Sequence, residues 1–235
     1  METIKKEKKI TVKFFLNQLV EPVMGEKNEK HYPLYIQVTY NRKNMQFKSK
    51  YGLYYKKLNK VNPGLMAFEE KVIRKIITHE AGLVKGDYDL KRLKRKHEVY
   101  STSVMEALEN YIKPKLRLAV LKTNDQLATV LDFNQSQATV ARLYKAARLL
   151  FQDFDNSLTV KLRDDLTAYE NYHRLYKEPF FAYTFPTIID WVDRSYQIEL
   201  EKRLKLTYKS KPETVKNVMT LIDQAVAENL KRAEA

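Results

Sequence analysis

Between Lys13 and Lys50 the chain sets ammonium, hydroxyl, phenol and amide groups at alternate positions of three short runs. These are Lys13 in the first run; Tyr35, Gln37 and Thr39 in the second; Gln46, Lys48 and Lys50 in the third. Arg42 and Lys43 lie between the last two. Such groups donate and accept hydrogen bonds and carry positive charge, which is the chemistry of holding an anion. Residues for bond-breaking chemistry are scarce. The chain has no cysteine, which excludes disulfides, thiolate zinc sites and thiol nucleophiles, and its four histidines are scattered. The carboxylate pairs Asp164-Asp165 and Asp153/Asp155 fit partners of helix N-termini better than acid-base pairs. No catalytic residue, metal ligand or cofactor is therefore expected.

These groups need strands to hold them. Leu34, Ile36, Val38 and Tyr40 alternate with Tyr35, Gln37, Thr39 and Asn41, and Met45, Phe47 and Tyr51 alternate with Gln46, Lys48 and Lys50. Strand side chains point alternately to opposite faces, so a hairpin here has one apolar and one polar face. Asn41-Arg42-Lys43-Asn44 supplies its turn. Ile10 to Leu16 repeats the pattern, with Thr11 and Lys13 on the polar side. Leu65, Phe68, Val72, Ile73 and Ile76 follow at helical spacing after the Asn62-Pro63-Gly64 stop and give the apolar face its cover.

Beyond the cover, Asp87 to Glu98 reads as a short helix carrying LKRLKRKH, either a solvated connector or a linker lying along a phosphate backbone. From Ser101 onward every periodic stretch is helical. Ser103-x-x-Glu106 opens a helix that Pro114 interrupts or restarts. Gln137 to Phe154 is strongly amphipathic and exposes Arg142, Lys145 and Arg148 as candidate DNA contacts. Further helices are expected over Val160–Tyr176, Thr187–Leu206 and onward from Pro212. The expected architecture is α+β. A small three-stranded antiparallel sheet with one covering helix (1–80) leads through a basic helical linker (81–100) to an all-α bundle (101–235).

The net charge of +14 is unevenly placed. Through residue 98 there are 23 Lys and Arg against 11 Asp and Glu, a balance of +12, which leaves +2 for the rest. An excess concentrated beside a polar-faced sheet points to a polyanion partner. Sixteen tyrosines mostly fill helical apolar stripes; Tyr35, on the polar face, is expected to contact DNA. No run approaches the roughly 18 apolar residues of a membrane span, and the basic start leads into alternation, so a cytoplasmic protein without membrane contact is expected. The rival reading is a helical protein-interaction or oligomerisation module whose basic surface has no DNA role.

The strand TVKFFL, a loop, and then YPLYIQVTYNRKNMQFKSKYGL resemble the N-terminal arm-type DNA-binding domain of tyrosine recombinases, the integrases of conjugative transposons and phages. The resemblance rests on Tyr35-Ile36, the Asn41 turn, Phe47 with Ser49, and Gly52. ATVARLYKAARLLFQDFDNSLTVKLRDDLTAYENY and PETVKNVMTLIDQAVAEN are similar to that family's core-binding (SAM-like) domain, in the same order. The resemblance implies that the polar sheet face enters a major groove of double-stranded DNA. Lys13, Gln37, Gln46, Lys48 and Lys50 would then touch bases or phosphates, Thr39 shares their face, and Arg42 and Lys43 stand on the turn. Two features depart from the family. Glu178 to Lys211, with Trp191, replaces a short turn and is read as a candidate self-association segment. The chain also ends where the catalytic domain is expected, and none of His31, His79, His97 or His173 starts a His-x-x-Arg signature. The expectation is a DNA-binding protein like the non-catalytic half of an integrase, not an enzyme.

Overall fold

The computed structural model describes residues 9–25, 28–51, 53–84, 88–123, 138–175 and 185–234. The chain divides into two units, residues 1–101 and 102–235.

In the first unit, β1 (Ile10–Leu16), β2 (Val23–Met24), β4 (Lys43–Lys48) and β5 (Tyr54–Tyr55) all pair antiparallel with β3 (Lys30–Tyr40). The sheet therefore has five strands instead of the expected three. The additions are two-residue strands, too short to show alternation. They form because β3 begins at Lys30 and so offers His31 to β2 and Tyr32-Pro33 to β5. Proline has no N–H to donate, and Pro33 lies where β3 changes partner: the pairing with β4 ends at Tyr35 and that with β5 begins at Pro33.

Leu34, Ile36, Val38 and Phe47 are almost wholly buried on one face of the sheet. Their cover is α1 (Pro63–Leu83), whose Leu65, Val72, Ile73, Ile76 and Ile77 are buried too. Each such side chain contributes roughly 1.5–3 kcal/mol on burial. Asn62-Pro63-Gly64 does not precede the helix as a stop; it starts it. Asn62 Oδ1 accepts from the Gly64 N–H at 2.8 Å, and Pro63 fills the first helical position, where a missing N–H is harmless. Arg74 Nη1 donates to the Ile10 carbonyl at 2.9 Å and ties α1 to β1.

The stretch expected to be a linker belongs to this unit. A 3-10 turn, Leu90–Arg92, is capped by Asp89, which accepts from the Lys91 N–H at 3.1 Å. It runs into α2 (Leu93–Tyr100), which packs on α1 and buries Leu93, His97 and Tyr100. The His97 ring lies 5.4 Å from that of Phe47, so α2 closes the core beside β4.

The second unit is helical in its described residues: α3 (Val104–Thr123), α4 (Val140–Leu150), α5 (Phe154–Ser157), α6 (Val160–His173), α7 (Ile188–Val192), α8 (Ser195–Thr207) and α9 (Pro212–Glu234). α3 runs through Pro114 without interruption, because Leu108, Ile112, Leu116 and Val120 on both sides of it are buried in the same core. α9 packs against α3 and α6 with Val218, Ile222 and Ala225 wholly buried. The helix expected over Gln137–Phe154 stops at Leu150. Asp153 turns left-handed (φ 59°) and brings Phe154 inward, its ring 6.0 Å from that of Phe151. The single helix expected over Thr187–Leu206 is two, broken at Arg194 (φ 64°), where Asp193 Oδ1 accepts from the Ser195 N–H at 2.9 Å and starts α8. Gly52, Gln137 and residues 178–184 lie outside the described residues.

Candidate nucleic-acid interface

With β3 in the centre, the strand register fixes which side chains share the face away from α1. Three cross-strand rows result: Thr11–Thr39–Asn44, Lys13–Gln37–Gln46 and Phe15–Tyr35–Lys48. The intervening rows, Val12–Val38–Met45 and Phe14–Ile36–Phe47, face the core. Lys13, Asn44, Gln46 and Lys48 are exposed, and Tyr35, Gln37 and Thr39 are half-buried.

Neighbouring side chains on this face are held by one another. Gln46 Nε2 donates to Gln37 Oε1 at 3.2 Å, and Thr39 Oγ1 donates to Asn44 Oδ1 at 2.6 Å. Lys48 Nζ lies 4.8 Å from the centre of the Tyr54 ring and 3.4 Å from its hydroxyl, a cation–π contact that leaves the ammonium at the surface. Phe15 and Tyr35 bring their rings within 5.9 Å at one end of the face. The result is a polar centre flanked by two ammonium groups, with an aromatic edge.

The expected four-residue turn is tighter. Tyr40 pairs with Lys43, so the loop is Asn41 and Arg42 alone, both left-handed (φ 48° and 62°), as a type I′ hairpin turn requires. Arg42 is exposed at this tip. Lys43 is exposed as well, but it stands in the Ile10–Tyr40 row, which belongs to the opposite face.

Lys50 does not join the row of Lys48. β4 ends at Lys48; Ser49 is buried and its hydroxyl donates to both carboxylate oxygens of Glu69, each at 2.9 Å. The half-buried Lys50 follows in a turn, with its N–H on Glu69 Oε1 at 3.3 Å. Glu69 sits on the inner side of α1 with no exposed surface, and burial pushes its carboxyl up to about 7 against the opposing effects of the Ser49 and Lys50 hydrogen bonds and the Lys50 charge. His97, also buried, is pushed down to about 4 by its burial and then by the Lys50 ammonium. Lys50 thus serves the buried polar cluster that joins α1, α2 and the end of β4.

In the second unit, Arg142, Lys145 and Arg148 are all exposed on α4. Arg148 is engaged locally: its Nε lies 3.2 Å from Asp155 Oδ2 and its guanidinium 5.5 Å from the Tyr144 ring centre. Asp155 also accepts from the Tyr144 hydroxyl at 2.7 Å, and the buried Asp165 takes Lys161 Nζ at 2.6 Å, so both carboxylates have structural partners. Trp191 is buried within this unit, its Nε1 donating to Asp223 at 2.9 Å.

Sequence reasoning placed Thr11 on the polar face and missed Phe15, Asn44 and Tyr54. The alternation already carried Phe15. Asn44 read as turn, and Tyr54 depends on a two-residue strand. It also left undecided the outer face of α2 and its preceding turn, where Lys91, Arg92, Lys94 and Arg95 are exposed while Lys96 bridges to Glu80 at 3.2 Å. Among the described residues, no group of three or more His, Cys, Asp or Glu is placed to hold a metal ion, and no helix is long and apolar enough to cross a membrane. No family model, curated protein or solved structure matches this chain.

Proposed function

We propose that this chain binds double-stranded DNA in the manner of the non-catalytic N-terminal half of a mobile-element tyrosine integrase, and that it acts by binding and not by cutting. The observation that carries the reading is the register of β1, β3 and β4. It gathers Lys13, Gln37, Thr39, Asn44, Gln46 and Lys48 on one uncovered face, in the unit that holds +12 of the +14 net charge. Ammonium groups at the margin suit phosphates, and amides and hydroxyls at the centre suit base edges. Arg42 at the hairpin tip adds an exposed cation beside this face, and Arg142 and Lys145 on α4 offer phosphate contacts from the second unit.

The test is fluorescence anisotropy of the full chain with a random duplex, compared at about 50 and about 200 mM salt, a range over which a protein making several phosphate contacts loses orders of magnitude in affinity. Replacing both Lys13 and Lys48 with alanine should reduce the slope of log affinity against log salt by about 2. No binding at the lower salt removes the reading. Incubation with supercoiled DNA should leave neither relaxed product nor a covalent tyrosine adduct; an adduct would show the chain to be a strand-cleaving enzyme.

The rival, a helical interaction or self-association module, has its support in the exposed Ile198 and Leu206, two turns apart on α8. An apolar interface there would respond little to salt.

A further inference from the structure

The two side-chain pairs at the centre of the sheet face are already half-satisfied, and what remains is a pattern. A primary amide offers two N–H donors and a carbonyl with two lone pairs. With Gln46 Nε2 donating to Gln37 Oε1 at 3.2 Å, the outward remainder is the NH₂ of Gln37 beside the carbonyl of Gln46. Exchanging oxygen and nitrogen in both amides leaves one NH₂ beside one carbonyl again, so the outward pattern does not depend on which amide donates. In the next row, Thr39 Oγ1 donates to Asn44 Oδ1 at 2.6 Å, which leaves the Asn44 NH₂ beside the hydroxyl oxygen of Thr39. Both pairs present a donor next to an acceptor.

In the major groove only adenine shows the complement, an N7 acceptor next to an N6 donor. Guanine shows two acceptors, N7 and O6, and would set O6 against a carbonyl. Cytosine shows one donor, and thymine one acceptor and a methyl group. Guanine is read best by the two donors of an arginine, and none of the three rows contains one. The row positions of Lys13 and Lys48 are on the two outer strands, flanking the amides and not among them. Gln37 and Thr39 are two residues apart on β3, hence about 7 Å apart along the strand, which exceeds one base-pair step, so the two pairs address different base pairs.

We infer that this face discriminates between sequences, selecting A·T-containing duplex by presenting the Gln37–Gln46 and Thr39–Asn44 pairs to adenine edges in the major groove. Phe15 and Tyr35, at the end of the same face, provide an apolar contact for a thymine methyl. The inference rests on the reading of this face as a duplex-docking surface.

Three duplexes of equal length, measured with the full chain at one salt concentration, test it: alternating A·T, alternating G·C, and the A·T duplex with 7-deazaadenine replacing adenine. The deaza base removes the N7 acceptor from the major groove and leaves the minor groove and phosphates alone. The A·T duplex is expected to bind at least tenfold more tightly than the G·C duplex, consistent with roughly 1–3 kcal/mol per matched bidentate contact. The 7-deazaadenine duplex should lose most of that advantage, and so should the Q37A/Q46A variant, with circular dichroism confirming its fold. Equal affinity for A·T and G·C overturns the inference while leaving DNA binding in place. A preference that survives 7-deazaadenine also overturns it, since the readout would then be of shape or the minor groove. Absence of salt-dependent binding to any duplex removes the docking reading, and the inference with it.

Discussion

Two buried groups set opposite pH responses in the first unit. The folded-state pKa of Glu69, about 7, lies above its ordinary 4.5, so the folded chain holds this proton more tightly than the unfolded one. Its neutral form is the stabilising one: that contribution is complete below pH 4.5 and is lost as pH rises to about 7, a change of about 3 kcal/mol. His97 runs the other way. Its folded pKa of about 4 lies below the ordinary 6.5, so its contribution is complete above pH 6.5 and is lost as pH falls through 4. Between about 4.5 and 6.5 the two slopes oppose each other, and the unit's stability should be nearly flat. Glu69→Gln keeps an oxygen for the Ser49 hydroxyl and removes the titration. It should be more stable than wild type at pH 8, with the difference shrinking toward pH 5, and should unmask a stability that rises with pH across the His97 window. Urea denaturation of both proteins at three pH values reads this; a difference independent of pH would show that folding leaves the Glu69 pKa at its ordinary value. The cluster also explains why Lys50 could not be placed from sequence. Alternation continues on paper through Ser49 to Lys50, but the strand ends where Ser49 meets a glutamate twenty residues further along the chain.

The hairpin between β3 and β4 shows how far local sequence reaches. Period-2 alternation specified β1 to its ends and put Lys13, Gln37 and Gln46 on one face, because a buried face fixes register and any one-residue slip would invert it. The turn is less well specified, since its second residue is arginine where a type I′ turn favours glycine. Left-handed backbone costs a residue with a Cβ about 1–2 kcal/mol, so Arg42→Gly should stabilise the first unit by about 1 kcal/mol in thermal denaturation. It should also weaken duplex binding at low salt by removing an exposed cation at the tip. Opposite signs for stability and affinity are the signature; a loss of stability would mean that the Arg42 side chain contributes packing. The elements not legible in advance depended on distant partners. β2 and β5 exist only because β3 is long enough to receive them, and the two helices around Arg194 are each started by a side chain, α8 by Asp193 accepting from the Ser195 N–H and α7 by the Thr187–Asp190 capping box. Residues 88–100 read as a charged connector because the buried Leu93, His97 and Tyr100 are diluted by five lysines and arginines. Their burial predicts that a chain ending at residue 80 is less stable than one ending at residue 101, which the denaturation midpoint of each piece will show.

At the scale of the whole molecule, charge and core divide at the same place. Each unit has its own buried core, and nearly all the excess positive charge lies in the first. A piece comprising residues 1–101 should therefore fold and bind duplex with a salt slope close to that of the full chain, since each phosphate neutralised contributes about −0.9. Residues 102–235, with a net charge of +2, should fold and bind weakly. The exposed Arg142 and Lys145 of α4 then matter through linkage: once the sheet has docked, the second unit meets DNA at the effective concentration set by its tether, and weak phosphate contacts add to affinity without any new interface. That gain needs a duplex long enough for both units. On a short duplex, the full chain and residues 1–101 should bind alike, and on a longer one the full chain should bind more tightly, with Arg142→Ala/Lys145→Ala removing most of the difference. If residues 102–235 alone bind more tightly than residues 1–101, net charge is the wrong guide to this protein, and the contacts that decide affinity lie on the helical unit.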